Sequence, residues 1–222
     1  MQDKTIATEM STIAERIREI RKHVPEGVCL VCVSKFHPAE AVMEAYDAGE
    51  RDFGESRVQE LVAKEKVLPK DIRWHFIGHL QTNKVRQMIG FVDLIQSVDS
   101  LRLLEVIEKE AERIGRVVRV LLEVHVAREE TKSGFGKEEL EAVWAKMKEF
   151  RHVEVAGLMT MATNTEDEQE IHRCFREAAK IAREHAVAGQ VLSMGMSDDF
   201  ELAIADGANM IRIGTDIFGQ RA

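Results

Sequence analysis

Short apolar runs recur along this chain, each followed by a stretch with helical periodicity, and this alternation limits the possible folds more than any other feature. The runs fall at residues 28–35, 51–56, 73–78, 94–98, 117–126, 153–161, 190–194 and 210–215. Helical patterns follow them, opened at Pro38, running to Leu68, and then at 83–89, 100–114, 137–150, 167–185 and 197–205. Runs such as Val28-Cys29-Leu30-Val31-Cys32-Val33 do not alternate apolar with polar, so they read as strands buried on both faces. Such strands, separated by helices, pair in parallel through right-handed crossovers. Eight units close into a barrel, whereas an open sheet would leave apolar edges unpaired. The expected fold is therefore α/β, a single-domain (β/α)8 TIM barrel spanning residues 1–222. An additional N-terminal helix over 5–23 carries Ile6, Met10, Ile13, Ile17 and Ile20 on one face. No linker or low-complexity tract interrupts it.

Charge and cysteine content exclude several classes of function. The 31 basic and 39 acidic residues leave a net charge of −8, with lysines and arginines scattered beside glutamates, which argues against a nucleic-acid partner. Residues 1–11 lack the blocks of a signal peptide, and no run is long enough for a membrane span, so no membrane partner and a cytoplasmic location are expected. Three cysteines do not make a disulfide framework. Cys29 and Cys32, three apart in a strand, point to opposite faces and read as packed apolar residues rather than a metal pair. His75 and His79 span a strand end without the glutamate of a zinc motif, so no metal is expected.

In a parallel barrel the strand C-termini and the loops after them form the active face. Lys35 closes the first strand there. Its amine is either a solvated cap or, partly desolvated, a nucleophile toward a carbonyl. Ser193-Met194-Gly195-Met196-Ser197-Asp198 is a strand-to-helix turn in which Ser197 is expected to cap the helix and leave N–H groups for an anion. Gly214 permits close backbone approach and Thr215 adds a hydroxyl, which suits a phosphate held between the last two strands, although two ordinary turns would look the same. Arg212, on a buried strand, needs an acceptor. That is either a carboxylate in a structural ion pair or a ligand atom without a proton of its own. Glu55, Ser56, Gly78, His79, Gln81, Ser97, Asp99 and Met159 to Met161 complete this face. No G-x-G-x-x-G follows the first strand, which counts against a dinucleotide site.

Six motifs, in order, resemble those of the pyridoxal phosphate homeostasis proteins, relatives of the alanine racemase barrel. They are Val33-Ser34-Lys35; Phe53-Gly54-Glu55 with Val58-Gln59-Glu60; Trp74-His75-Phe76-Ile77-Gly78 with Leu80-Gln81; Gly157-Leu158-Met159-Thr160-Met161; Ser193-Met194-Gly195-Met196-Ser197-Asp198; and Arg212-Ile213-Gly214-Thr215 with Ile217-Phe218-Gly219. The resemblance covers about residues 28–221. It implies a pyridoxal 5'-phosphate cofactor held as a Schiff base on Lys35, with Arg212 facing the pyridine nitrogen. It also implies that Met194, Ser197, Gly214 and Thr215 are cofactor-binding, the last three around the phosphate. Two positions depart from the pattern. Ser56 stands where many relatives have Asn, and Asp216 adds a carboxylate beside the phosphate loop, where it is expected to point away.

An arginine at the pyridine nitrogen makes the cofactor a weaker electron sink. Alanine racemases also draw a second base, a tyrosine, from a C-terminal domain. This chain ends at Ala222, just past the last strand, and its one tyrosine, Tyr46, is expected outside the barrel. The resemblance thus implies a carrier in cofactor homeostasis, for storage, protection or delivery, with pyridoxal phosphate-dependent apo-enzymes as recipients, and the apolar outer positions, which leave no surplus stripe for a dimer, lead to the expectation of a monomer. A weak amino acid racemase, or a Schiff-base aldolase using Glu55, His79 or Asp99, is the alternative.

Overall fold

In the computed structural model, which describes residues 12–127, 134–185 and 190–220, each apolar run pairs in parallel with the runs before and after it. The strands are β1 (Cys29–Val33), β2 (Asp52–Glu55), β3 (Arg73–Phe76), β4 (Leu94–Val98), β5 (Val118–Glu123), β6 (Val153–Met159), β7 (Val191–Ser193) and β8 (Met210–Ile213). β8 returns to β1 through Cys29↔Met210 and Val31↔Arg212, and this closes the expected eight-stranded barrel. The helices are α1 (Ile13–His23), α2 (Ala39–Asp47), α3 (Val58–Val67), α4 (Val85–Met88), α5 (Leu101–Ile114), α6 (Lys137–Met147), α7 (Glu168–Glu184), α8 (Phe200–Ala205) and α9 (Thr215–Phe218).

Strand alternation produces two apolar layers. Val31, Leu94, Leu121, Ala156, Met159 and Met210 pack inside the barrel, while Leu30, Phe53, Trp74, Phe76 and Val120 join the layer beneath the helices. Cys29 borders the inner layer and Cys32 lies in the outer one, so the thiols do face apart. Burial pushes the Cys29 thiol up to about 12 and Cys32 well above its usual value, which leaves both unreactive. The N-terminal helix opens on a reciprocal cap, with Thr12 Oγ1 accepting from Glu15 N–H and the Glu15 carboxylate accepting from Thr12 N–H. Ile13, Ile17 and Ile20 pack it on α2 and α9, and Arg21 clamps Glu50 at 2.8 and 2.5 Å. The part of this helix expected over 5–11 lies outside the described residues.

Several boundaries differ from the sequence pattern, most of them on the active face. β1 ends at Val33 rather than at Lys35, because the Ser34 carbonyl accepts from His37 N–H in a turn and from Lys64 Nζ instead of from a neighbouring strand. The longest strand is the seven-residue β6, not β5. α8 begins at Phe200, and Ser197 does not cap it. Asp199 holds the cap position and turns its carboxylate back onto Met196 N–H at 2.6 Å. The last strand stops at Ile213, where the Gly214 carbonyl accepts from the N–H groups of Ile217 and Phe218 and starts α9. No helix among the described residues is long and apolar enough to cross a membrane.

Candidate functional site

The turn after β1 is pinned on both sides of Lys35. Ser34 N–H donates to the Gly54 carbonyl at 3.0 Å, and Ser34 Oγ donates to Glu55 Oε1 at 2.7 Å. Lys64 Nζ then donates to Ser34 O at 2.8 Å and to Glu55 Oε1 at 2.5 Å. This triad is buried between barrel and helix, and burial raises the Glu55 pKa in spite of the Lys64 ammonium and the Ser34 hydroxyl. On the other side of Lys35, Phe36 has φ +67°, the one left-handed non-glycine residue among those described. That conformation costs about 1–3 kcal/mol. It is held by Glu60, which accepts Phe36 N–H at 2.8 Å, and by the Arg57 guanidinium 4.5 Å above the Phe36 ring. Lys35 itself is half-buried at the rim.

Arg212 is buried and points into the barrel from β8. Its acceptors are neutral: NH1 donates to Ser193 Oγ at 2.7 Å and NH2 to the Thr160 carbonyl at 3.0 Å. No carboxylate among the described residues pairs with it directly. Burial lowers its pKa to about 10, while Asp199 and Glu123 oppose this at longer range, so the guanidinium stays charged at neutral pH. Ser193 in turn donates to Gln96 Oε1 at 2.7 Å. Gln96 Nε2 lies 2.9 Å from His75 Nδ1, and His75 Nε2 lies 3.0 Å from Asp52 Oδ1. Asp52 is clamped by Arg73 at 2.8 and 2.5 Å. A polar chain thus crosses the barrel interior through the inner apolar layer.

The two turns expected to hold an anion follow β7 and β8. Gly195 has φ +94°, and a Cβ there would lie 2.7 Å from Ala203 Cβ, so only glycine carries the chain from β7 to α8. Gly214 packs on Val33, where an added Cβ would sit 3.3 Å from the Val33 carbonyl oxygen, and this brings the β8 turn beside the β1 turn. Ser197 is half-buried and Thr215 exposed. Met194 is wholly buried in the layer beneath the helices, which leaves only its backbone for a ligand. Asp216 borders, with Ser197, Glu19 and His23, a groove of about 410 Å³ against α1, so it is a neighbour of the turn rather than remote from it. A second cavity of about 650 Å³ opens beside Met161, Met196 and Asp199.

The chain matches the model of the alanine racemase N-terminal domain over residues 9–222. It is 41% identical over 220 residues to the pyridoxal phosphate homeostasis protein of Aquifex aeolicus, covering 96% of each chain. To that of Pseudomonas aeruginosa it is 37% identical, covering 98% of this chain and 96% of the other. The chain belongs to the pyridoxal phosphate homeostasis protein family. Among solved structures, PipY of Synechococcus elongatus PCC7942 with pyridoxal phosphate bound superposes with a TM-score of 0.87 at 39% identity, covering 94% of this chain and 100% of that one. The alanine racemase of Corynebacterium glutamicum, 18% identical with a TM-score of 0.72, shares the fold over 60% of its own length.

Other residues read from the sequence of this family member are dispersed. His75 lies inside the barrel in the polar chain, while His79 sits on the rim beside Asp99, 3.1 Å from its carboxylate, so the two histidines do not converge. Ser97 Oγ donates to the Gly78 carbonyl, and Gly78 packs so closely on Ser56 that a Cβ would lie 2.1 Å from the Ser56 carbonyl oxygen. Tyr46 is outside the barrel, as expected. Its hydroxyl donates to Asp71 under the Arg51 guanidinium, at the end where β2 and β3 begin, opposite Lys35. Sequence reasoning missed Asp52, Gln96, Lys64 and Glu60. For Asp52 and Gln96 the signal was available as polar residues at inward strand positions. For Lys64 there was none, because charged residues on a helix normally face solvent, and Glu60 stood in a motif of the resemblance without a role assigned to it.

Proposed function

We propose that this chain holds pyridoxal 5'-phosphate at the C-terminal mouth of the barrel, covalently on Lys35, and acts in intracellular homeostasis of that cofactor. The observation that carries the reading is a charged guanidinium, buried on neutral acceptors, on the strand next to β1, whose following turn sets Lys35 between two braced peptides. The residues present fit the group. Pyridoxal phosphate supplies an aldehyde that condenses with a primary amine. Lys35 offers that amine, and Arg212, which has donors and no acceptor, suits an unprotonated ring nitrogen. The Ser197 turn and Gly214 with Thr215 provide donors for the phosphate, while Met194, whose N–H is held by the Met210 carbonyl, lines the site beside them. The binding of this cofactor by PipY, a relative of the same fold whose whole chain is matched, supports the assignment.

Storage, protection and delivery to apo-enzymes account for these features better than turnover does. A racemising enzyme needs a second base across the ring, and the tyrosine of this chain sits at the opposite end of the barrel. We infer a monomer, because exposed large apolar side chains (Phe36, Val67, Ile114, Val117, Met196) are spread over separate loops and helix ends. Three free cysteines suit the reducing cytoplasm. The one observation that favours an enzyme is the His79–Asp99 pair, a base at the rim.

The test is borohydride reduction of the cofactor-loaded protein followed by peptide mapping. The adduct is expected on Lys35 and absent from Lys35→Ala; a label on another lysine, or none, refutes the assignment. Solvent deuterium exchange into alanine separates the two readings. Fast exchange that depends on Lys35 and His79 would overturn the carrier.

A further inference from the structure

The polar chain behind Arg212 has a sense as well as a position. Its two ends have unambiguous roles: a guanidinium only donates and a carboxylate only accepts. Asp52, fixed by Arg73, therefore requires a proton on His75 Nε2. In the neutral ring this leaves His75 Nδ1 as an acceptor, which orients the Gln96 amide so that its Nε2 donates. The second hydrogen of that amide faces Met210 Sδ at 3.3 Å, and Gln96 Oε1 is left to accept from Ser193. Ser193, its hydroxyl hydrogen committed to Gln96, turns a lone pair to Arg212 NH1. Reversing the amide would take from the Ser193 hydroxyl hydrogen its Gln96 acceptor and would require a proton on His75 Nδ1. In the neutral ring that would leave Nε2 and Asp52 as two acceptors 3.0 Å apart. Four side chains from β2, β3, β4 and β7 thus converge on one outcome at β8.

We propose that His75, Gln96 and Ser193 are positioning residues that lock the Arg212 guanidinium in the orientation it presents to the cofactor ring, with Asp52 at the far end of the barrel setting the donor order. The inference rests on the placement of the ring at Arg212 proposed above. Structural filling alone would be satisfied by apolar side chains, since the surrounding inner layer is Val31, Leu94, Leu121, Met159 and Met210. A chain of buried polar groups with every link satisfied instead gives the guanidinium a single rigid pose.

The chain is tested with Gln96→Met, which keeps length and removes both amide bonds. Pyridoxal phosphate affinity and the absorbance maximum of the bound cofactor are measured beside Arg212→Met and the double variant. Gln96→Met is expected to weaken retention about fivefold to tenfold, the loss that goes with one hydrogen bond to a charged group. It should also move the absorbance in the same direction as Arg212→Met and add nothing in the double variant. A wild-type spectrum and affinity for Gln96→Met while Arg212→Met alters both would overturn the positioning role. Unchanged binding and spectrum in Arg212→Met would instead refute the placement of the ring. If Gln96→Met does not fold, Ser193→Ala takes its place with the same expectations. Independently, ring nitrogen NMR of His75 in cofactor-free wild type should show Nε2 carrying the hydrogen shared with Asp52 and Nδ1 accepting from Gln96. A hydrogen on Nδ1 would contradict the donor order.

Discussion

Replacing Lys64 by methionine keeps the stem of the side chain and removes only the ammonium that Glu55 and the Ser34 carbonyl share. Their side chains are 8% and 0% exposed for Lys64 and Glu55, so water does not replace the lost partner. Glu55 must then stay ionised without a cation or take a proton. Protonating a carboxyl whose unfolded pKa is about 4.3 costs about 3.7 kcal/mol at pH 7, which sets the ceiling on the charge penalty. Loss of the bond to Ser34 O adds about 1 kcal/mol. The expected destabilisation is about 4 kcal/mol at pH 7, within the range of about 3–5 kcal/mol for a buried pair broken from one side. The sign of its pH dependence follows from Glu55. A carboxyl whose folded pKa is raised favours the folded state below its unfolded pKa and loses that contribution as pH rises through the folded value. Burial already raises Glu55 in the wild type, and removing the cation raises it further. The deficit of the variant should therefore shrink by about 1–2 kcal/mol between pH 7 and pH 5. Urea unfolding at both pH values, with the denaturant slope unchanged, measures it. A deficit below about 1 kcal/mol, or one equal at the two pH values, would refute an ionic triad beneath Lys35. Adding Glu55→Gln to the variant should recover most of the loss at pH 7.

Gly195→Ala forces a Cβ into a left-handed residue and against Ala203, and should cost about 3 kcal/mol by urea unfolding; a loss under about 1 kcal/mol would mean that the turn relaxes freely. At the proposed phosphate site, Thr215→Ala and Ser197→Ala should each weaken pyridoxal phosphate retention about fivefold in equilibrium dialysis, whereas Asp216→Asn, by removing a neighbouring negative charge, should tighten it. Unchanged affinity in all three would move the phosphate away from these turns.

The barrel was legible because apolar runs and helical periodicity are local patterns, each readable within about a dozen residues. The ends of the elements were less so. β1 read as running to Lys35, but the carbonyl of Ser34 turns to His37 N–H and to a lysine thirty residues further on, and the second contact is one no local pattern encodes. Ser197 looked like a helix cap because its side chain is of the right type, yet Asp199 occupies that position and bonds back into the turn. At Arg212 the residue itself announced that an acceptor was needed. That the acceptors would be a serine hydroxyl and a backbone carbonyl, and not a carboxylate, depended on which side chains β6 and β7 bring to the same level.

By itself the sequence determined the class of fold, the face on which chemistry could occur, the family, and the types of side chain available there. The family rests on the resemblance of six motifs and the rest on composition and spacing, all of which the chain carries whatever its conformation. The tertiary structure decided how these groups are poised: that Lys35 sits between two pinned peptides, that Asp216 shares a groove with Ser197, and that Asp52, His75, Gln96 and Ser193 form one directed chain ending at Arg212. Hydrogen-bond direction and burial are properties of groups brought together from strands far apart in the chain. Only closure of the barrel brings them within reach.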